Sequence, residues 1–468
     1  MNATEQLELK VKPNAGVQLR DGFTGGLGVV LATLGSAVGL GNIWKFPYLT
    51  GANGGAAFLI VYLLSTLLVG LPVMISEHML GREARSEAVH AFLKLSPNKK
   101  IPWWLVGASG VLAAFMIMAF YTEVAGWVFA YIFKALGGGI FTTDPAVTEA
   151  AFVNLISNPW LSLGIQWVVL AVIGLIILQG VAKGIEKTAK RVMPVLFGLL
   201  LIVVVRSLTL DGAAAGLNFL FMPDFSKLTG AAILTAMGLA FFKLSIGMGT
   251  MITYGSYYGS EQNIPVNAAR VMLGDLLVSL LAGLAIFPAV FAYGVEPDAG
   301  PSLLFITIPT VFASMPFGHF FMVVFFLLTS LAAVGAMLSL VEVPVAFLTE
   351  KFTWSRKTAT LVVVFGLAVT GSLAALSNSV LADVKLLGFT FFDLLDYFSQ
   401  NVLLPVGGLF IALFVGWVFG WKKVEQALTN RGALKNTRLV RLFFLVTRFV
   451  TPVLVLLVLL NGFGVFGK

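Results

Sequence analysis

Residues 35–42 read GSAVGLGN and residues 243–249 read KLSIGMG. Each run crowds glycines into the middle of a long apolar segment, and the second adds a lysine. Glycine at such depth permits unwound backbone, whose free N–H and C=O groups can coordinate a substrate or an ion. A membrane tolerates that unwinding only where it lines a cavity. The alternative use of membrane glycines is close helix packing. Two breaks five spans apart favour a binding site and point to an inverted repeat.

Composition fixes the solvent. The 468 residues are 58% hydrophobic and 11% charged, with a mean hydropathy of +0.95, so the chain's surface faces lipid. That length accommodates ten or more spans of about 20 residues in one bundle, with no separate soluble domain. The absence of cysteine excludes disulfide staples and thiol chemistry. Residues 1–19 lack a hydrophobic signal core and read as a flexible cytoplasmic tail, leaving 20–468 as a single transmembrane domain.

Eleven candidate helices fall at about 24–50, 54–82, 102–137, 160–180, 188–209, 230–258, 264–293, 317–349, 357–377, 390–420 and 438–463. With the N-terminus in the cytoplasm, most of the 30 Lys and Arg residues fall in inner segments, whereas Arg206, Lys227, Lys385 and Lys468 fall outside. The positive-inside rule then orients a multi-pass protein of the cell's inner (plasma) membrane, with its C-terminus on the extracellular or periplasmic side. The net charge of +8 needs no nucleic-acid partner, because anionic lipid headgroups attract it.

The runs GSAVGLGNIWKFPYLTGANGGAAF (35–58), GLPVMISEHMLGR (70–82), SIGMGTMITYGSY (245–257) and LLAGLAIFPAVFAYG (280–294) carry a specific resemblance. The chain is similar to the neurotransmitter:sodium symporter family in its eleven-helix bacterial form, from Arg20 to the last helix. The resemblance implies an all-α, leucine-transporter-like fold. Helices 1–5 (about 24–209) and 6–10 (230–420) form inverted repeats, an eleventh helix follows, and helices 1 and 6 unwind at the midplane. It implies alternating access around a small amino-acid-like or amine substrate held between helices 1, 3, 6 and 8.

Family positions carry over residue by residue. The backbone of Ala37, Val38, Leu40 and Gly41 would hold the substrate's carboxylate and amine, with Tyr121 bonding the carboxylate and Phe242 as the aromatic lid. Ser245, Met248, Ile117, Ala336 and Leu340 would line the side-chain pocket, whose apolar character favours a hydrophobic or aromatic substrate. Lys45 and Asp396 match the outer gate, where lysine loses the two-pronged geometry of arginine. Arg20, Ser256, Tyr257 and Glu350 match the inner latch, with Phe23 in place of the usual tryptophan.

The sodium sites depart from the family pattern. At the first, the positions hold Ala37, Asn42, Lys243 and Asp275, and a charged lysine has no lone pair to offer a cation. At the second, Gly335 and Ala336 stand where two hydroxyls are expected. A three-residue shift would bring up Ser339, but Glu342 and the downstream VAFLTE oppose it. A chloride site has Ser279 in place, but Leu239 and Lys243 replace other expected ligands.

Lys243 lies more than a dozen residues into its helix, roughly 20 Å at 1.5 Å per residue, so it cannot snorkel to the surface. It needs an internal partner, and Asp275 lies across the former cation site. The expectation is a tethered ammonium where sodium would sit, close enough to meet a substrate carboxylate; a purely structural salt bridge is the alternative. If transport separates the pair, the lysine releases a proton and the carrier is proton-coupled; if not, the protein is an ion-independent exchanger or facilitator. Lys243, Asp275 and Glu123 are the proton candidates, and Glu123 should point away from the pocket. A sodium-coupled symporter with non-standard sites and a transporter-fold channel or sensor are the competing readings.

Enzymatic classes lack their motifs. No P-loop occurs, Ser245 and Lys243 have no oxyanion partner, and His78, His90 and His319 form no metal-ligand pattern. No catalytic residue, metal or cofactor is expected beyond the coupling ion, for which the proton is favoured over sodium. The oligomeric state is not legible.

Overall fold

The computed structural model describes residues 22–294 and 303–465. The tail over 1–19, together with Arg20, lies outside the described residues. With no water in the hydrocarbon to satisfy N–H and C=O groups, apolar spans close their hydrogen bonds within helices. Helix 1 comprises Gly26–Ala37 and Gly41–Ala52, bent by 51° at the break. Helices 2 to 5 are Ala56–Ala84, Trp104–Leu136, Pro159–Ile177 and Val181–Leu208. Helix 6 comprises Gly230–Lys243 and Thr250–Gly255. Helices 7 to 11 are Ile264–Ala292, Gly318–Phe352, Arg356–Asn378, Phe391–Phe419 and Thr437–Gly462.

Polar caps set where several spans begin. The side chains of Asn158, Thr229, Asn263 and Ser355 accept the backbone N–H groups of Leu161, Ala232, Val266 and Thr358, satisfying donors that the first helical turn leaves free. Helix 5 starts at Val181 rather than 188, because its first turn carries Lys183 and Glu186 and so escapes a reading based on apolarity. The short helices Ala88–Leu95, Pro145–Ile156, Ala213–Phe221, Thr307–Ala313 and Trp421–Leu428 lie between the apolar runs and were not anticipated.

Helices 3 and 8 form the most extensive pairing, and helix 1 packs against helices 5, 7 and 8. The second half of helix 6 is pressed onto helix 2. A Cβ at Gly81 would stand 1.9 Å from the Ile252 carbonyl oxygen, and one at Gly255 2.5 Å from that of His78. Any side chain at either position would force these two backbones apart, and with them the broken segment that precedes residue 250.

Candidate functional site

The two helix breaks meet. At the first, Val38 leaves the helix (φ −82°, ψ 104°) while its N–H still bonds Leu34 O at 2.7 Å. The Gly39 N–H is taken by Asn42 Oδ1 at 3.2 Å, and the Leu40 N–H by the Tyr121 hydroxyl at 2.9 Å. At the second, Ser245 (φ 52°), Gly247 (φ 79°) and Gly249 (φ 73°) turn the chain through left-handed conformations. Ser245 Oγ donates to Ser36 O at 2.8 Å, tying one break to the other, and Gly247 N–H donates to Glu77 Oε1 at 2.6 Å.

Between the breaks lies a small cavity of about 20 Å³. Ala37 and Gly41 line it from helix 1, Ile117 and Tyr121 from helix 3, Phe242, Ser245 and Met248 from helix 6, and Ala336 and Leu340 from helix 8. Ser36 and Gly39 also line it, although the sequence reading did not include them. Val38 and Leu40 are buried but do not line it. Position 39 has no room for a side chain, since a Cβ there would lie 2.9 Å from the Tyr121 hydroxyl and 3.0 Å from Ala336 Cβ.

Lys243 points away from this cavity into a second polar cluster. Its Nζ stands 3.2 Å from Asp275 Oδ2 and 2.9 Å from the Tyr62 hydroxyl, and it also donates to Ser279 Oγ. Three acceptors match the three donors of an ammonium. The faces of Phe46 and Tyr62 lie 4.8 and 4.5 Å from Nζ, an arrangement that attracts a cation to the ring quadrupole. Asp275 is equally satisfied: Asn42 Nδ2 donates to Oδ1 at 2.7 Å, and the Tyr62 hydroxyl donates to Oδ2 at 3.2 Å. Asn42 thus turns its amino group toward the carboxylate. Lys243 and Asp275 are both sealed from solvent. At this separation, and an effective dielectric of about 20, their attraction is on the order of 5 kcal/mol.

Where the family pattern places a second cation, helices 1 and 8 approach backbone to backbone. A Cβ at Gly335 would lie 2.4 Å from Gly35 O, so helix 8 runs directly against helix 1 there. Beside this contact, Ser36 Oγ donates to Ser339 Oγ and Ser339 Oγ to Ala336 O, each at 2.8 Å. Ser339 therefore spends its hydroxyl within the helix pair.

The gates differ in detail from expectation. Among the described residues Lys45 and Asp396 form no direct ion pair. Lys45 Nζ donates to Gln400 Oε1, and Gln400 Nε2 donates to Asp396 Oδ1. A lysine offers a point charge rather than a fork, and an amide with one donor and one acceptor bridges the gap. Lys45 Nζ also stands 4.8 Å from the ring centre of Phe242, the residue expected as the lid. On the inner side Arg20 lies outside the described residues, and the other expected latch residues make the following contacts among those described. The Tyr257 hydroxyl donates to Glu342 Oε1 at 2.6 Å, Ser256 Oγ bonds Thr253 O, and Glu350 Oε1 accepts Glu87 N–H at 3.1 Å. Glu342 is gripped by both Nη atoms of Arg356, at 3.0 and 2.6 Å. Phe23 packs edge-on against Tyr254 and Tyr257.

Glu123 is buried outside the cavity and accepts Trp127 Nε1–H at 2.7 Å, while the indole stacks on Phe392 of helix 10. Sequence reasoning missed Tyr62, Phe46, Gln400 and Arg356. Gln400 had a signal in its spacing, four residues and so one helical turn after Asp396.

A bundle with two broken helices meeting at a buried cavity, flanked by gating contacts on either side, defines a secondary transporter rather than an enzyme. The sodium:neurotransmitter symporter family model matches residues 20–143 and 159–466. The "uncharacterized sodium-dependent transporter YhdH" of Bacillus subtilis (strain 168) is 40% identical over 439 residues, covering 94% of this chain and 97% of that protein. An "uncharacterized sodium-dependent transporter" of Haemophilus influenzae is 33% identical over 95% of this chain and 98% of its own length. The crystal structure of MhsT in complex with L-phenylalanine matches with a TM-score of 0.87 at 42% identity, over 95% of this chain and 100% of that one. The chain belongs to the sodium:neurotransmitter symporter family.

Proposed function

We propose that the protein carries a hydrophobic or aromatic amino acid across the inner membrane by alternating access, with the Lys243 ammonium standing where a first sodium ion would bind. The observation that carries this reading is the coordination of Lys243 Nζ by Asp275, Tyr62 and Ser279 in a sealed pocket. A tethered cation there supplies the positive charge that balances Asp275, without an ion drawn from solution. The Gly335–Gly35 approach argues in the same direction at the second site, because a side chain at position 335 would have to spread helices 1 and 8. The cavity's apolar lining, and the phenylalanine bound by the similar structure of MhsT, support an amino-acid substrate with an apolar side chain.

Proton coupling follows if the transport cycle parts Lys243 from Asp275, since an unpaired ammonium in that pocket would shed its proton; Glu123 is a second candidate carrier. The competing reading is a sodium-coupled symporter, favoured by the sodium-dependent names of its relatives. The test is L-phenylalanine binding to the purified protein, by thermal shift, in sodium, potassium and choline chloride. Equal affinity in all three supports the tethered-cation reading; affinity that climbs steeply with sodium alone overturns it. Uptake into proteoliposomes driven by a proton gradient and indifferent to a sodium gradient would then separate the proton-coupled carrier from an exchanger.

A further inference from the structure

Beyond Arg441, helix 11 presents an apolar surface interrupted by one arginine. Arg448 lies about 16 Å along the helix from Thr437 at 1.5 Å per residue, among the exposed side chains of Leu445, Phe449 and Val453. Its guanidinium carbon stands 4.1 Å from the centre of the Trp417 ring on helix 10 and 5.3 Å from that of Phe449. Its Nε is buried without a hydrogen-bond partner. Among the described residues no carboxylate pairs with it, the ion pairs being made by other residues. Among the described residues Lys243, also deep in its span, has three oxygen acceptors, whereas Arg448 has none.

An unpaired guanidinium within the apolar belt is costly and marks a functional position. The surroundings hold it deliberately. A Cβ at Gly416 would lie 2.9 Å from Arg448 Cα and 3.2 Å from its Cγ, so the glycine lets helix 11 seat its backbone, and the arginine stem, against helix 10. Trp417 Nε1 donates to Arg448 O at 3.3 Å, which fixes the indole beneath the guanidinium. Helical side chains lean toward the helix N-terminus. For helix 11 that is the face bearing the exposed cations Lys422, Lys423, Arg438 and Arg441. The guanidinium is therefore directed from the apolar belt toward the headgroup level of the basic face. Arg441, 5.7 Å from the Trp421 ring centre, repeats the arginine–tryptophan pairing two turns nearer that face.

We propose that Arg448 binds the phosphate of an anionic phospholipid in the leaflet on the basic face, with Trp417 as its platform and the acyl chains lying over Phe449 and Val453. A phosphodiester accepts two N–H groups from a guanidinium fork. A headgroup with net negative charge gains further from the neighbouring cations, whereas the choline of a zwitterionic lipid offsets that gain.

The test uses the full-length protein in detergent, titrated with dioleoyl-phosphatidylglycerol, dioleoyl-phosphatidylcholine or inorganic phosphate and read by thermal shift and native mass spectrometry. Phosphatidylglycerol should raise the melting temperature of the wild type and remain bound, and Arg448→Leu should weaken that binding about fivefold. Arg448→Lys and Trp417→Leu should fall between, and they keep the test decisive if the leucine variant does not fold. Unchanged phosphatidylglycerol affinity in these variants would overturn the proposal. So would equal stabilisation by phosphatidylcholine, which marks ordinary annular lipid, or by inorganic phosphate alone, which marks a soluble-anion site.

Discussion

Lys243 Nζ and Asp275 Oδ2 lie 3.2 Å apart with neither side chain open to solvent, so each charge depends on the other. Removing one partner of a buried pair strands the other, at a cost of about 3–5 kcal/mol. Lys243→Thr should therefore lower stability strongly and weaken substrate binding. Lys243→Thr with Asp275→Asn should recover most of the loss, because no uncompensated charge remains. Thermal melts and phenylalanine titrations across the double-mutant cycle check this; additive single effects would remove the case for coupling.

The contact between Gly335 and Gly35 makes a second prediction. Gly335→Ser introduces a Cβ 2.4 Å from a carbonyl oxygen, so helices 1 and 8 must spread. Such overpacking typically costs about 1–3 kcal/mol. The same change places a hydroxyl beside the Gly35 carbonyl. The variant should be less stable than the wild type in choline chloride and should regain stability when sodium replaces choline. The wild type should melt at the same temperature in both salts.

At the outer gate, Gln400 carries the link between Lys45 and Asp396. Hydrogen bonds to charged groups contribute about 1.5–3 kcal/mol, so Gln400→Leu should speed dissociation of bound substrate at least tenfold while leaving the cavity intact. Lys45→Arg, which offers Asp396 a longer, forked donor, should slow dissociation even in the Gln400→Leu background. Chase of labelled phenylalanine from the purified protein measures both.

Much of this architecture is legible in the sequence. The helix breaks announce themselves because glycines such as Gly247 and Gly249 are needed for left-handed turns that other residues resist. Lys243 stands out because a charge in an apolar run demands a partner, and Asp275 is the acid that family positions place opposite it. Tyr62 and Phe46 escape such reading. A tyrosine and a phenylalanine in apolar helices look like ordinary packing, and only the arrangement of helices 1, 2, 6 and 7 brings their rings around an ammonium. The Lys45–Asp396 link was expected to be direct, since pattern identifies the two charges but not the distance between them. Arg356 and Glu342 lie on consecutive helices, and the turn that folds one back on the other is what makes them a pair.

Gly39 is a tight point in the cavity wall. Tyr121 OH and Ala336 Cβ already stand 2.9 and 3.0 Å from the point a Cβ would occupy. A methyl group there must push Tyr121 from the Leu40 N–H it now accepts, or project into the space an aromatic substrate would use. Both outcomes act at the cavity wall, where Tyr121 or helix 8 must give way to admit the methyl group. Gly39→Ala should therefore lose stability on the overpacking scale of about 1–3 kcal/mol and lose phenylalanine binding by about tenfold or more, the scale of one lost charge-assisted hydrogen bond. Smaller apolar amino acids such as alanine should lose less. Tyr121→Phe separates the two causes: it removes the hydroxyl but leaves the volume, so it should weaken all amino acids alike through the shared carboxylate. A Gly39→Ala protein that binds phenylalanine and alanine with wild-type affinities would show that the substrate sits elsewhere.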